Sequence, residues 1–395
     1  MNETMEQRQE SSRRGGKLRN RGEASRLDRL LATNSRTFGV AVNVCRIVLA
    51  ATFIFSGFVK SVDPWGTAIK VSEYLNGFGF EGLDHYRFWF AIWLCAAELM
   101  MGLMLLFRVR LRLVSIFALL SMTLFTFITF VIAVWAPVED CGCFGDAVKL
   151  SNWETFFKNL FLWPMSWLVW YSMRGRRIFV FSLREVVLAL TFASLAGGLG
   201  VYCFCHLPLI DFLPFKVGTD LYAAVQGAEE PESVLIFRDK QSGQLVEFGA
   251  GETGCWENPA LEYVDSRLEE GEAVEPSVGE FALLDGGRNN VTAKVLAGDG
   301  RIYMLCVQRP DRLGARCEAA LERLVRRAAE EGARVVCLTP GDETGRGELR
   351  FGRAAPVPVY QVDSQTLITL LRARAGVVTL DDGVITDKRN CRDID

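Results

Sequence analysis

Apolar residues in the first half of the chain form long blocks that are separated by short polar gaps. Each block approximates the ~20 residues that a helix needs to cross the hydrocarbon core of a bilayer. Leu, Phe, Ile, Val, Ala and Trp dominate these blocks, which favours membrane spans over buried core helices. The pattern predicts five spans, at residues 40–59, 88–107, 113–136, 153–173 and 186–207.

The gaps between the predicted spans alternate in basic charge. The segment before the first span, the second gap and the fourth gap are rich in arginine, and the other gaps are not. Cytoplasmic loops carry an excess of Lys and Arg, so the pattern predicts a cytoplasmic amino terminus and an outside carboxyl-terminal domain. Residues 61–87, 137–152 and 208–395 then share the outer side of the membrane.

Composition separates a membrane part from a soluble part. Hydrophobic residues make up 50% of the chain and are concentrated before residue 208. From Lys216 onward acidic residues outnumber basic ones, 31 to 22, which argues against nucleic acid as a partner. Residues 1–38 are polar and rich in arginine, as expected of a disordered cytoplasmic tail that contacts anionic lipid. No signal-peptide cleavage pattern is visible, so the first span is expected to be an uncleaved anchor.

The soluble part alternates between strand-like and helix-like patterns. Strands are predicted at residues 302–307, 334–338 and 357–362, helices at 313–331 and 364–374, and a closing hairpin at 377–386. The Asp-Gly step within that hairpin is typical of a tight turn. This order is that of an α/β thioredoxin-like domain, although periodicity alone allows other α/β sandwiches.

Two features set this domain apart from a working thioredoxin. After the first strand, where a redox domain carries C-x-x-C, residues 308–317 contain only Cys317. The pair Ala375-Gly376 stands where that fold has a cis-proline. We therefore expect a binding or docking module without a dithiol, with Cys317 on the buried stripe of its helix and Cys391 exposed.

The expected organisation has five parts. They are a basic cytoplasmic tail (1–38), a four-helix transmembrane domain (39–175), a fifth transmembrane helix (176–210), a linker with a small accessory segment (211–275) and a thioredoxin-like domain lacking C-x-x-C (276–395).

Two cysteines one residue apart, Cys141 and Cys143, lie between the third and fourth predicted spans. Sulfurs held this close form a strained ring or remain two thiols, and strained, exposed disulfides are the labile and regulatory ones. An ordinary disulfide from each to another outside cysteine is the alternative, and Cys203 or Cys205 could serve. We expect supporting roles for the residues around the pair, namely Gly142, Phe144, Gly145, Asp146, Trp153 and Glu154.

Local sequence also suggests how this segment is held. Gly142 and Gly145 relax the backbone where a tight turn needs it. Ser151 and Glu154 have the S-x-x-E spacing of a capping box, which predicts the start of the fourth span. With two histidines, far apart in the chain, no metal site is expected.

Two ionisable residues, Arg46 and Glu98, fall inside predicted spans. An unpaired charge at membrane depth is costly, and the axial offset between the two is about 6 Å at 1.5 Å per residue. We therefore predict an Arg46–Glu98 pair, which either locks two helices together or lines a polar pocket.

Several of these residues resemble the pattern of the DoxX and MauE membrane families. The resemblance covers about residues 40–175 and rests on these positions: Arg46, Phe55-Ser56-Gly57, Lys60, Asp63-Pro64, Glu98 to Gly102, Cys141 to Asp146, and Asn152-Trp153-Glu154. It implies a four-helix membrane core associated with thiol–disulfide traffic. The longer chain resembles fusions of this core to an outside thioredoxin-like domain in Gram-negative bacteria, where the outside space is the periplasm.

Together these features predict a multi-pass inner-membrane protein in which Cys141 and Cys143 cycle between disulfide and dithiol. The electron partner is expected to be a periplasmic thiol protein or a membrane quinone, and the carboxyl-terminal domain is expected to bind the partner. As an enzyme it would be a thiol–disulfide oxidoreductase. Two alternatives stay open: a non-enzymatic membrane assembly or scaffold protein with a structural disulfide, and an accessory subunit of a respiratory complex.

Overall fold

A computed structural model gives the fold. It describes residues 36–135, 142–148, 150–175, 182–227, 233–239, 245–249, 261–268, 278, 281–297, 300–341 and 347–394. The chain divides into two compact units, Met1–Gly200 and Val201–Asp395. Each unit is considered by itself.

The amino-terminal unit is built from helices. They are α1 (Arg36–Val62), α2 (Pro64–Gly77), α3 (Arg87–Leu106), α4 (Leu111–Trp135) and α5 (Asn152–Met173), and α6 (Leu183–Cys205) runs across the boundary between the units. Short 3₁₀ turns, Glu81–Tyr86 and Gly145–Ala147, precede α3 and α5.

Four helices are long and apolar enough to cross a membrane: α1, α3 with its preceding turn, α4 and α6. They coincide with four of the five predicted spans. The remaining predicted span, 153–173, is the 22-residue helix α5. Asn152, Glu154, Lys158 and Asn159 make its first two turns polar, and it is not among the four. A fifth crossing is therefore not confirmed.

Helices α1 and α3 approach each other closely through two glycines. A Cβ atom on Gly57 would lie 2.3 Å from the backbone nitrogen of Leu99, and one on Gly102 would lie 2.6 Å from the backbone nitrogen of Ile54. Small residues at helix contacts are the usual means of close packing in membranes.

Helix α5 packs into the same core as the apolar helices. The core cluster contains residues from α1, α3, α4, α5 and α6, among them Leu49, Phe53, Leu105, Met122, Leu162 and Phe192. Side chains also join α5 to α4, because Asn159 Nδ2 lies 3.3 Å from Thr129 Oγ1 and Trp163 Nε1 donates to Thr123 Oγ1 at 2.9 Å.

At its other end α5 is closed by an arginine from α4. The Arg112 guanidinium donates to the carbonyl of Met173 at 3.1 Å and also to the carbonyl of Arg174. These are the last carbonyls of α5, which have no partner within the helix itself.

The carboxyl-terminal unit begins with α7 (Leu221–Gly227) and a three-stranded antiparallel sheet in the order β2-β1-β3. Its strands are β1 (Ser233–Asp239), β2 (Leu245–Gly249) and β3 (Leu261–Leu268). The segment predicted as a linker with a small accessory segment thus contains regular structure.

A six-stranded mixed sheet forms the centre of this unit, in the order β6-β7-β5-β4-β8-β9. Its elements are β4 (Arg301–Val307), α9 (Ala315–Glu331), β5 (Arg334–Pro340), β6 (Glu348–Leu349), β7 (Val357–Val362), α10 (Ser364–Leu370), β8 (Ala375–Asp381) and β9 (Val384–Asn390), and the short α8 (Thr292–Leu296) precedes them. Strands β4, β5 and β7 are parallel, and β8 and β9 are antiparallel to their neighbours. All elements predicted from the alternating pattern are present in the predicted order.

The sheet has a hydrophobic core on each face. One core receives α9 through Ala320, Leu321 and Leu324, and the other receives α7 and α10 through Leu221, Leu367 and Leu370. The predicted hairpin turn is confirmed, since Asp382 and Gly383 both have positive φ, 50° and 86°. Two such residues match the right-handed twist of the flanking strands.

One disulfide is present among the described residues, between Cys317 in the first turn of α9 and Cys391 after β9. Cys317 packs against the core, as its place on the buried stripe predicts, whereas the expectation that Cys391 is exposed is wrong. Only 5% of Cys391 is exposed, and connectivity between distant cysteines cannot be deduced from spacing.

Candidate functional site

The cysteine segment is a short turn between α4 and α5. Gly142 and Gly145 have φ of 58° and 55°, and the amide of Gly145 donates to the carbonyl of Gly142 at 3.1 Å. The two glycines are therefore used as predicted, in a conformation that L side chains rarely adopt. Cys141 lies outside the described residues, so the pairing of Cys141 with Cys143 stays a prediction.

The turn is packed against three helices. The ring of Phe144 contacts the ring of Phe55 on α1 edge to face, with centroids 5.2 Å apart, and the ammonium of Lys158 on α5 lies 4.0 Å from the Phe144 centroid. A Cβ atom on Gly142 would lie 2.9 Å from Cγ of Lys70 on α2. Cys143 is thus held in a fixed place by its neighbours.

The predicted capping box is confirmed directly after this turn. The amide of Ser151 donates to Glu154 Oε2 at 2.9 Å and the amide of Glu154 donates to Ser151 Oγ at 3.3 Å. Trp153 packs on Phe156 and Phe157 of its own helix, while Asp146 is half-buried within the turn itself. The capping box fixes where α5 begins relative to the cysteine turn.

A buried ion pair lies where α1 and α3 face each other. Lys60 Nζ lies 2.9 Å from Glu98 Oε1 and 3.0 Å from Glu98 Oε2, and the exposed fractions of the two side chains are 9% and 2%. Ser56, one turn before Lys60, lies 2.7 Å from Glu98 Oε2 through its hydroxyl. Residues four apart on a helix share a face, so Ser56 and Lys60 reach the same carboxylate.

The predicted Arg46–Glu98 pair is wrong. Arg46 Nη1 instead donates to the carbonyls of Leu105 and Leu106, at 2.5 and 2.7 Å, at the end of α3. Side chains tilt toward the amino terminus of their own helix. The tilt suits Lys60, which lies one turn beyond Ser56, while Arg46 is too far away, since Gly57 is the residue of α1 that faces Leu99 and Arg46 lies eleven residues before it, about 16 Å along the helix.

The ion pair is connected to the cysteine turn. The Ser56 hydroxyl that contacts Glu98 lies 2.8 Å from the carbonyl oxygen of Cys143. Cys95 is buried on α3 and its sulfur lies 3.8 Å from Thr67 Oγ1.

A small cavity adjoins Cys143. Its volume is about 10 Å³, with Gly142, Cys143, Phe144 and Thr155 in its lining, which is about the space needed for one water molecule. The hydroxyl of Thr155 is buried and has no hydrogen-bond partner in the part of the chain that the structure describes. A bound water would satisfy it.

The chemistry of this site follows from its charges. A thiolate is the reactive form of cysteine, and a nearby cation favours it. Lys60 is a cation on the same helix face as Ser56, whose hydroxyl contacts the Cys143 backbone, and Glu98 holds it in place. No group of three or more His, Cys, Asp or Glu residues suited to a metal ion occurs among the described residues.

Sequence reasoning named Glu98 but assigned no role to Ser56 and Lys60. Both were quoted only as part of a family pattern. Their four-residue spacing on a helix that faces Glu98 is the signal that identifies them. A charged residue near the end of a span is easily taken to mark only where the span ends. Its side chain can also extend back along the helix to a buried partner.

The described cysteines of the mixed sheet and its helices offer no exposed dithiol. Burial raises the pKa of the Cys337 thiol to about 12, and it also raises the pKa of the Cys306 thiol. Cys317 and Cys391 are joined to each other. The described cysteines of the sheet are therefore either bonded or poorly ionised at neutral pH.

Comparison with known proteins gives a family match for the helical bundle and none for the rest of the chain. No curated protein and no solved structure gives a significant match. The chain is a multi-pass membrane protein with several apolar helices, and its residues 39–171, which hold the Lys60–Glu98 pair and the cysteine turn, match the family described as methylamine utilisation protein MauE.

Proposed function

We propose that this protein carries out thiol–disulfide exchange at the membrane surface through Cys141 and Cys143. The observation that carries the proposal is the Ser56 hydroxyl, which contacts both Glu98 of the buried ion pair and the backbone of Cys143. A cysteine turn that only closed a loop would not need a contact with a buried ion pair.

The electrons of the exchange balance when a partner protein supplies a disulfide as the oxidant. A thiolate of the pair attacks one partner sulfur, a mixed disulfide forms and the other partner sulfur leaves as a thiolate. The second cysteine of the pair then releases the partner as a dithiol. The pair is oxidised and the partner is reduced by two electrons. A periplasmic thiol protein fits this role, and a membrane quinone is the alternative acceptor of two electrons and two protons.

The mixed-sheet unit is proposed as a thioredoxin-like binding module without a dithiol. Support comes from its element order and from a cavity of about 510 Å³ that Leu313, Glu318, Thr339 and Phe351 help to line, a volume within the range of ligand sites. The Thr339 hydroxyl is buried with no hydrogen-bond partner among the described residues. A bound peptide carbonyl could accept a hydrogen bond from it.

The cysteine turn and the mixed-sheet unit are proposed to face the periplasm, with the amino terminus in the cytoplasm of a cell with an inner membrane. The Cys317–Cys391 disulfide supports this placement, because disulfides persist in oxidising compartments. The arrangement also requires α5 to cross the bilayer. Its 22 residues span about 33 Å at 1.5 Å per residue, and it packs into the core of the bundle.

Trapping of a mixed disulfide tests the exchange. In Cys141→Ser or Cys143→Ser cells the remaining thiol has no neighbour to resolve it, so a covalent complex with a partner should accumulate and disappear with reductant. Cys45→Ser is the matched control, because Cys45 is a thiol inside α1 and its loss should trap nothing.

A permanent structural bond gives the opposite result. In that case neither variant traps a partner, the bond survives mild reductant, and both variants lose folded protein. Haem or quinone that co-purifies with the wild-type chain, in the absence of any trapped complex, would favour an accessory subunit of a respiratory complex.

Cysteine labelling in intact cells tests the orientation. A membrane-impermeant maleimide should label Gly82→Cys, before α3, and should not label Gly175→Cys, after α5, until the membrane is broken. Labelling of Gly175→Cys in intact cells would show that α5 does not cross the membrane. The mixed-sheet unit would then lie in the cytoplasm.

A further inference from the structure

We propose that the mixed-sheet unit binds an organic carboxylate with an apolar body, in a cleft at the amino-terminal ends of its parallel strands. The cleft has a volume of about 440 Å³, which is within the range of small-molecule sites. It shares no lining residue with the cavity at Thr339 and holds no cysteine. The inference therefore goes beyond the proposed function.

The floor of the cleft is one face of the mixed sheet. Side chains two residues apart on a strand point to the same face. Arg334 and Val336 of β5 thus lie on one side of the sheet, and Pro358 and Tyr360 of β7 line the cleft beside them. Ile302 of β4 pairs with Arg334. Ile302 and Val336 are 1% and 7% exposed, so the base of the cleft is apolar and already packed.

One wall of the cleft is a turn that backbone hydrogen bonds hold in place. The amide of Asp285 donates to the carbonyl of Asn289 at 3.0 Å, which closes the turn. Leu284, directly before it, exchanges two hydrogen bonds with Gln361 of β7, 2.9 and 2.8 Å long. The wall is therefore fixed to the sheet, and a site that is already formed loses less free energy on ordering when a ligand binds.

The opposite wall is α8, which brings two basic side chains to the cleft. The guanidinium of Arg334 donates to the carbonyl of Val295 at 3.2 Å, and Lys294 is the preceding residue of this helix. Lys294 makes no hydrogen bond or salt bridge with the residues that the structure describes. Its ammonium is thus available to a ligand, next to a guanidinium whose position is fixed.

The one carboxylate in the described lining is occupied by its own turn. Asp285 accepts hydrogen bonds from the amides of Gly287 and Asn289, at 2.8 and 2.9 Å, and from the side chain of Asn289 at 3.1 Å. Two cations and one carboxylate give the described lining a net charge of +1. A monovalent anion balances this charge, whereas a phosphate dianion would exceed it.

The class of ligand follows from the floor and the charges together. Lys and Arg donate charge-assisted hydrogen bonds to a carboxylate, and an apolar body is needed to cover Ile302 and Val336. Tyr360 adds an aromatic ring, which favours contact with another ring. A free aromatic or aliphatic carboxylate has this chemistry, and so does the carboxyl terminus of a peptide that ends in an apolar residue.

Calorimetric titration of the full-length protein in maltoside tests the site, with 2-naphthoate as the probe. The uncharged 2-naphthamide has the same rings and is the matched control ligand, and empty micelles give the blank for both. The carboxylate should bind about tenfold more tightly than the amide, because hydrogen bonds to charged groups contribute at least this much. Equal affinities, or no saturable binding of 2-naphthoate, would overturn the inference.

Lys294→Met should weaken the binding of 2-naphthoate about tenfold and leave that of 2-naphthamide unchanged. Arg350→Met is the matched control. Arg350 is an exposed cation of the same unit that lines the other cavity, so its removal changes the net charge equally at a different place. The same loss in both variants would mean that the probe senses only net charge, and the site would be rejected.

Pro358→Trp tests the cleft without a change in charge. Pro358 is exposed and lines the cleft, so the larger ring should fill part of the volume and weaken both probes. Wild-type affinities in a variant that keeps the wild-type melting temperature would contradict binding over the sheet. If this variant does not fold, the comparison of carboxylate with amide on the wild-type protein still decides.

Two further probes distinguish the sources of the carboxylate. N-acetyl-Ala-Ala-Phe that binds more tightly than 2-naphthoate, and loses affinity as its carboxamide, would identify a peptide carboxyl terminus, and the reverse order would identify a small molecule. None of these titrations depends on Cys141 or Cys143. Failed trapping of a mixed disulfide therefore leaves this site standing, and absence of binding leaves the exchange function standing.

Discussion

At the residue scale, contacts were predictable where they are local in sequence. The Ser151–Glu154 capping box needs only three residues of spacing, and it is formed as predicted. The partner of Glu98 was not predictable because depth was counted from the ends of the spans. In the structure Gly57 lies opposite Leu99, so Glu98 is level with the turn that carries Ser56 and Lys60, and Arg46 lies eleven residues from Gly57, about 16 Å along the helix. The tilt of side chains toward the helix start then brings the Lys60 ammonium down to the Glu98 carboxylate.

Buried thiols give a residue-scale prediction. Burial raises the pKa of the Cys337 thiol to about 12, so its thiolate fraction at pH 7.5 is negligible. We expect that N-ethylmaleimide leaves Cys306 and Cys337 unmodified in the folded protein and modifies both in 6 M guanidinium chloride. Peptide mass spectrometry measures this.

Cys306 and Cys337 also serve as buried reference thiols, against which the modification of more exposed cysteines can be compared. Rapid modification of Cys337 under native conditions would mean that the sheet opens locally on the timescale of the assay.

At the element scale, helix and strand positions followed from periodicity and length. The spans, the strand–helix order and the Asp-Gly hairpin were all derived from patterns within one segment. What no segment contains is the face that each helix presents to another. The contact of α1 with α3 depends on Gly57 and Gly102. These glycines leave room for the backbone of the facing helix, which a side chain at either position would meet.

This close contact gives an element-scale prediction. In Gly57→Leu the new Cβ would meet the backbone of Leu99, so α1 and α3 must separate and Lys60 moves away from Glu98. Overpacking of this kind typically costs about 1–3 kcal/mol. A lower melting temperature in detergent, followed by intrinsic tryptophan fluorescence, is the expected result.

Gly198→Leu is the matched control. A Cβ on Gly198 of α6 meets no atom within 4 Å, so its melting temperature should be close to that of the wild type. Equal losses in the two variants would show that the added leucine side chain itself, and not the α1–α3 contact, is responsible.

At the scale of the whole molecule, the sequence separates a membrane part from a soluble part because their compositions differ. It does not show which distant cysteines meet. Cys317 and Cys391 are 74 residues apart, and they are brought together by the path of β4, α9 and the closing hairpin. A stripe of apolar residues around Cys317 is compatible with a core thiol and with a buried disulfide alike.

Removal of this disulfide gives a prediction at that scale. A bond that closes a loop of this length restricts the unfolded chain and typically contributes about 2–4 kcal/mol. Cys391→Ser should therefore lower the free energy of unfolding of the mixed-sheet unit by that order, as measured by urea denaturation of the full chain in detergent.

Wild-type protein treated with dithiothreitol provides the comparison. It should unfold at the same lower urea concentration as Cys391→Ser, and the variant itself should be insensitive to the reductant. A variant as stable as the oxidised wild type would contradict this account.

Two guanidinium groups close helix ends inside the bundle: Arg46 binds the last carbonyls of α3, and Arg112 binds those of α5. Carbonyls at such ends otherwise need water or another donor. Here the bundle supplies both donors itself. Solubilisation in a maltoside, which offers no phosphate or ammonium headgroup, should therefore leave these two termini unfrayed even after the annular lipids have been stripped away.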